Sequence, residues 1–236
     1  MSHFKRDKVH EEIIAGWLDK YFYSKLNIYE VAHKRVEEVK AESRIKDAQE
    51  QGIDIVLKDK NEEKFYVDEK SQTTYLNDPR PTFAFEISYE RDGVLKTGWL
   101  VDEKKNTNHY LLVYPMSETI LTYKELQTFE DIDSAEILFI NKEKLMSELY
   151  NLGITEELLV EKAANIEHEK ENNHLQIDEI SKKFVTLYKS GHLNENPVNI
   201  IIRRTILDKI ASGIWKVKKD SVEEVKSFNQ YWIRDK

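Results

Sequence analysis

The 236-residue chain predicts an α/β (α+β) fold, a mixed and mainly antiparallel sheet flanked by helices, with helical additions toward its C-terminus. Three observations lead there. Large apolar side chains recur at three- and four-residue spacing over Lys8–Tyr23, and more narrowly over Ile28–Gln49, as helix faces do. Short runs rich in β-branched and aromatic residues, separated by turn residues, fill Gly52 to Pro115. From Asn141 onward the pattern turns mostly helical again. A core over 1–140 and a mostly helical extension over 141–236 follow, either packed on that core or continuous with it as one domain.

Composition bounds the function. A hydrophobic fraction of 40% suffices for one substantial core. Charged residues make up 34%, with a net charge of −8 and an isoelectric point near 5.5. That is opposite to the basicity usual among nucleic-acid binders, although a local basic patch can still meet phosphate. There is no cysteine, which removes disulfides, thiolate zinc sites and cysteine nucleophiles. The chain opens MSHFKRDKVHEE, without an apolar leader, and no run approaches the roughly 20 apolar residues of a membrane span. The expectation is a cytoplasmic protein with no membrane partner. No GxxxxGK(S/T), GxGxxG or GxSxG motif occurs, which sets aside nucleotide-driven motors, dinucleotide enzymes and α/β-hydrolases. The seven histidines show no metal-ligand spacing.

The elements follow in order. Ile13, Ile14, Trp17, Leu18, Tyr21 and Phe22 form the core stripe of the first helix. Glu11 and Glu12 lie one turn before it, where the helix dipole favours acids. In Ile28–Gln49, Arg35 and Glu42 fall beside the apolar face, positioned to pair with each other or to reach a site. Gly52 stops that helix. Gly52–Gln72 then reads as two strands, IDIVL and KFYV, around the polar turn KDKNEEK. Asp78-Pro79-Arg80-Pro81 is a rigid loop near the end of the second strand, with Arg80 placed to meet a phosphate. Thr82–Tyr89 is a third strand. Glu86 within it requires a partner, either as a further metal ligand or as an edge-facing residue. Leu95–Val101 and His109–Tyr114 read as a strand pair, completing a meander of about five strands, and Ala135–Ile140 as a central strand. Helices are expected over Asn141–Tyr150 and Thr155–Asn165, the latter capped by Thr155. Leu175–Tyr188 reads as a helix or mixed element, Val198–Ile202 as a buried strand and Ile206–Ala211 as a short helix. Arg203, Arg204, Lys216 and Lys218, with Trp215 between the two clusters, are the candidates for phosphate contacts. The plainer reading of these cations is solubility.

The chemistry concentrates in the hairpin. Successive strand side chains alternate faces, so Asp68, Lys70 and Gln72 share one face and Glu69 points to the other. Hairpin pairing brings Asp54 beside Asp68. Two adjacent carboxylates repel unless a cation lies between them, and oxygen ligands suit Mg²⁺ or Mn²⁺. A lysine beside such a cation orients or helps to deprotonate a water.

Gly-Ile-Asp54, a turn, three apolar residues and Asp68-Glu69-Lys70 resemble the core motif of the PD-(D/E)xK nuclease superfamily. There an Asp opens one strand and a (D/E)xK triplet closes the next. The resemblance covers roughly Glu11 to Pro115. The tetrapeptide recurs as Val101-Asp102-Glu103-Lys104, but that copy continues as a turn and no Gly-Ile-Asp strand precedes it. The resemblance implies a restriction-endonuclease-like core and a Mg²⁺- or Mn²⁺-dependent nuclease hydrolysing DNA, in restriction, repair or mobile-element and phage biology. Asp54 and Asp68, with the Glu69 carbonyl, would hold the metal. Lys70 would position or activate water, with Gln72 as a further catalytic candidate and Glu12 and Glu86 behind it. RNA or a structured junction is the alternative substrate, and a homodimer suits cutting both strands. The competing expectation is a non-catalytic protein of the same fold, binding a protein partner through its acidic surface. Convergence of Asp54, Asp68 and Lys70 on one face separates the two.

Overall fold

The structure, a computed structural model, describes residues 3–26, 29–31, 35, 52–166, 174–175, 185–190 and 195–226. In chain order the main elements are α1 (His3–Tyr21), β1 (Tyr29–Val31), β2 (Ile55–Asp59), β3 (Lys64–Ser71), β4 (Thr82–Arg91), β5 (Val94–Thr97), β6 (His109–Met116) and β7 (Ser134–Asn141). There follow α2 (Lys142–Asn151), α3 (Glu156–Ile166), β8 (His174–Leu175), β9 (Val185–Lys189), β10 (Val198–Arg203), α4 (Arg204–Ile210), β11 (Gly213–Lys218) and β12 (Val222–Lys226). The chain is mixed α/β and divides into two compact units.

The first unit comprises Met1–Arg80, Asn106–Asn141 and Ala211–Lys236. Its seven-stranded sheet runs β1-β2-β3-β6-β7-β11-β12. Every neighbouring pair is antiparallel except β3 and β6, which are parallel. Parallel neighbours need a long crossover, and here it carries β4 and β5 into the other unit. One sheet face presents Phe65, Val67, Leu111, Val113, Ile137, Phe139, Trp215 and Val217 to the apolar stripe of α1. Trp17 is fully buried there, and its indole N–H is satisfied by the Ile132 carbonyl at 3.0 Å. His109 lies on this face too, stacked on Phe139 at 4.6 Å between centroids and bonded to Asn108 and Asn141. Its role is structural.

The second unit comprises Pro81–Lys105 and Lys142–Ile210. Its five-stranded antiparallel sheet runs β5-β4-β10-β9-β8, with Phe83, Phe85, Ile87, Leu187, Ile200 and Ile202 buried. α3 packs against β4, and α2 against α4. Thr155 Oγ1 accepts the Leu158 N–H at 3.2 Å, the expected cap of α3. Gly98 is needed because a Cβ there would stand 2.5 Å from the Glu86 carbonyl oxygen.

Several sequence expectations change. The five-strand meander does not form: β4 leaves the sheet of β3 and pairs with β10, while β6 takes the place beside β3. Sequential strands usually pair, but the proline-flanked loop after β3 carries the chain away before β4 begins. Leu95–Val101 is strand only over Val94–Thr97, and its partner is β4. Tyr29–Val31, expected as helix, is strand paired with β2. The rest of Ile28–Gln49, Glu42 included, lies outside the described residues except for Arg35. Among its described residues, the segment after 140 is not mostly helical, since it supplies β8 through β12 as well as three helices. Its last two strands return to the first sheet, so the compact units interleave along the chain. Within Leu175–Tyr188 the described residues are strand, in β8 and β9. Among the described residues, no helix is long and apolar enough to cross a membrane.

Candidate functional site

Strand β3 presents different chemistry on its two faces. Phe65 and Val67 point into the α1 core, and Glu69 follows them by alternation. Its carboxylate accepts from the Tyr23 hydroxyl at 2.6 Å and from Arg35 Nη1 at 2.8 Å. Arg35 also forks onto Asp19, with both bonds at 2.7 Å, and donates to the Ala15 carbonyl at 2.9 Å. Burial, and then the Glu69 charge, push the Tyr23 hydroxyl well above its usual range, so it remains a proton donor. Glu69 is thereby tied to α1, and Arg35 pairs with Asp19 and Glu69.

Asp68 and Lys70 occupy the opposite face. Lys70 Nζ stands 3.0 Å from Asp68 Oδ2. Asp68 is only 6% exposed. Its register partner on β6 is Tyr110, whose buried hydroxyl is pushed up by that burial and by the Asp68 charge. Ile55 pairs with Val67, so the chain just before β2 brings Asp54 opposite Asp68. The Asp54 N–H donates to the Val67 carbonyl at 2.9 Å, and Asp54 Oδ2 accepts the Glu69 N–H at 2.8 Å. The Asp54 side chain thus replaces a ladder carbonyl and ends the β2–β3 pairing. Gly52 makes the approach possible at φ +71°, and its carbonyl accepts from the Thr107 hydroxyl at 2.5 Å.

The Asp54 carboxyl is pushed well above the usual carboxylate range. The protein crowded around it contributes most, followed by the charges of Asp68 and Glu69. The Glu69 N–H and Lys70 act in the other direction. Asp54 as a residue is exposed; the crowding is local to the carboxyl, where that hydrogen bond and the like charges meet. Asp54, Asp68 and Lys70 therefore come together on one face. The Glu69 backbone joins them, and its side chain does not.

The other candidates are placed differently. Gln72 is buried, and its Oε1 accepts the Arg80 N–H at 2.9 Å, so it holds the following loop. Glu12 is exposed on α1, which covers the face opposite Asp68. Glu86 belongs to β4 in the second unit, across from Asn199. Arg203 and Arg204 lie in the second unit, with Arg204 paired to Asp208 at 2.5 Å. Lys216 and Lys218 are exposed on the same sheet face as Asp68 and Lys70. They lie three strands away from β3, roughly 14 Å. The register neighbours of Lys216 are Glu136 and Glu223. Trp215 is buried against Phe22 at 5.3 Å between ring centroids, so it offers no stacking surface between the basic clusters.

Among the described residues, no group of three or more His, Cys, Asp or Glu side chains is arranged to hold a metal ion. The donors that Asp54, Asp68 and Glu69 offer are two carboxylates and one peptide carbonyl, all hard oxygen. That set fits Mg²⁺ or Mn²⁺, which use one or two protein carboxylates and complete their shell with water and substrate phosphate. No protein-family model, no curated protein and no solved structure matches the chain.

Proposed function

We propose that the chain is a metal-dependent nuclease with a restriction-endonuclease-like core that hydrolyses DNA phosphodiester bonds. One observation carries the reading: Asp54, Asp68 and Lys70 share one face at the end of the β2–β3 hairpin, while Glu69 is tied away on the other. A structural ion pair needs one carboxylate per lysine. Here a second carboxylate is held beside the first, and burial, then the Asp68 and Glu69 charges, push Asp54 up. Asp54 and Asp68, with the Glu69 carbonyl, would hold Mg²⁺ or Mn²⁺. Bound there, the ion supplies Lewis-acid polarisation of phosphoryl oxygens and acidifies a water. Lys70, bonded to Asp68 in this structure, would turn its ammonium toward the scissile phosphate or the attacking water. Lys216 and Lys218 would add phosphate contacts farther along the same face.

Cleavage of plasmid and single-stranded DNA with Mg²⁺ or Mn²⁺ tests this, run beside Asp68→Ala and Lys70→Ala proteins checked for folding by circular dichroism. The reading expects metal-dependent cleavage that both substitutions abolish. Cleavage that survives both substitutions would place the chemistry elsewhere. Loss of any divalent-ion effect would favour a protein-binding role for this fold.

A further inference from the structure

The loop that follows β3 is held rigidly from within while it displays two side chains outward. The Tyr75 N–H donates to the Gln72 carbonyl, that of Leu76 to Thr73 and that of Asp78 to Tyr75, at 2.9, 3.1 and 2.9 Å. Leu76 is buried. Asn77, in the left-handed region at φ +64°, is bonded on both ends of its amide: Nδ2 donates to the Ile120 carbonyl at 2.8 Å, and Oδ1 accepts the Ser117 N–H at 2.6 Å. The Arg80 N–H is fixed to Gln72 Oε1 between two prolines that restrict the backbone on either side. Yet the Tyr75 residue is 42% exposed and the Arg80 side chain 51%. The guanidinium lies 4.7 Å from the Tyr75 ring centroid, with Asp78 Oδ2 at 3.4 Å. An exposed pair of this kind adds little to folding, so the buried bonds serve to hold the display in place.

Gln72 lies two residues beyond Lys70, roughly 7 Å along an extended strand, and through it the Arg80 backbone is tied to the end of β3. We propose that Tyr75 and Arg80 form a platform for one unpaired nucleotide of the substrate, with the base stacked on the tyrosine–guanidinium surface and Arg80 on an adjoining phosphate. A flat ring beside a planar cation is the chemistry that takes a base face, and that face is open only when the strand is single or frayed. The inference rests on the nuclease reading and names its substrate class, single-stranded DNA or the open end of a duplex.

The test is binding in EDTA, where cleavage is silent. The fluorescence anisotropy of labelled oligothymidylate is compared with that of the same-length oligo(dA)·oligo(dT) duplex. Tighter single-strand binding is expected. Tyr75→Ala should weaken it by roughly 5- to 150-fold, the range of one lost base stack, and weaken duplex binding, where only the frayed ends reach the platform, much less. Arg80→Ala should also lower the salt dependence by about one phosphate contact, and Arg80→Lys should restore that slope but not the affinity. Single-strand binding unchanged in both alanine variants, or equal affinity for strand and duplex, would overturn the platform. The nuclease reading would still stand if Asp68-dependent cleavage persists, and would fall separately if it does not.

Discussion

Asp54→Asn should make the metal-free protein more stable. In an antiparallel pair, side chains directly opposite have Cβ atoms about 5 Å apart, and register brings Asp54 opposite Asp68. Two unit charges about 5 Å apart repel by roughly 3 kcal/mol at an effective dielectric near 20. Lys70, 3.0 Å from Asp68, cancels much of this, and the exposure of Asp54 screens more, leaving about 1 kcal/mol. Asparagine removes the charge and keeps an oxygen for the Glu69 N–H. Alanine removes both, and the lost hydrogen bond costs about 1 kcal/mol, so the two effects should nearly cancel. Thermal and urea unfolding at neutral pH in EDTA should place Asp54→Asn above the native protein by about 2–4 °C and Asp54→Ala level with it. Added Mg²⁺ should raise the native protein and leave Asp54→Asn where it was. If Asp54→Asn proves less stable than the native chain in EDTA, the carboxylate pair is not repulsive, and Asp54 is there to end a strand.

Arg35→Ala removes the partner of Glu69, whose side chain is 7% exposed, and should cost about 2–3 kcal/mol by urea unfolding. That is below the full penalty of a broken buried pair, because Arg35 and Asp19 are partly solvated. Asp131 accepts the N–H groups of Gln127 and Thr128 at 2.9 and 2.8 Å, and these bonds hold its carboxyl below the usual range. Its stabilisation is therefore complete above the ordinary aspartate pKa and is lost as pH falls through the lowered value. Asp131→Ala should cost about 1 kcal/mol at pH 7, and the gap to the native protein should narrow below about pH 4. Gly98→Ala forces a Cβ against the Glu86 backbone and should destabilise the second unit by about 1–3 kcal/mol, read as an earlier transition in urea.

Local pattern carried much of this fold. The stripe from Ile13 to Phe22 is the buried face of α1, KDKNEEK is the turn of a hairpin, and the AEILFI run lies between β6 and β11. Alternation alone separated Asp68 and Lys70 from Glu69. Strand partners were not legible, because pairing depends on contacts far apart in sequence: β3 reaches across 37 residues to β6, and β4 finds β10. Strand β11 left a period-two trace, with Trp215 and Val217 inward and Lys216 and Lys218 outward. The same lysines form a basic cluster in the sequence, which masks the alternation of the strand. For Arg35 the sequence left open pairing with Glu42 or reaching a site; Asp19 and Glu69 become its partners only once β3 lies against α1.

The most direct measurement is calorimetric titration of Mn²⁺ into the native protein, Asp54→Ala, Asp68→Ala, Glu12→Ala and Glu86→Ala. Binding is expected that both aspartate substitutions abolish and that the two glutamate substitutions leave intact. Binding that survives Asp68→Ala, or none in the native protein, would contradict the hairpin as a metal-dependent hydrolytic site.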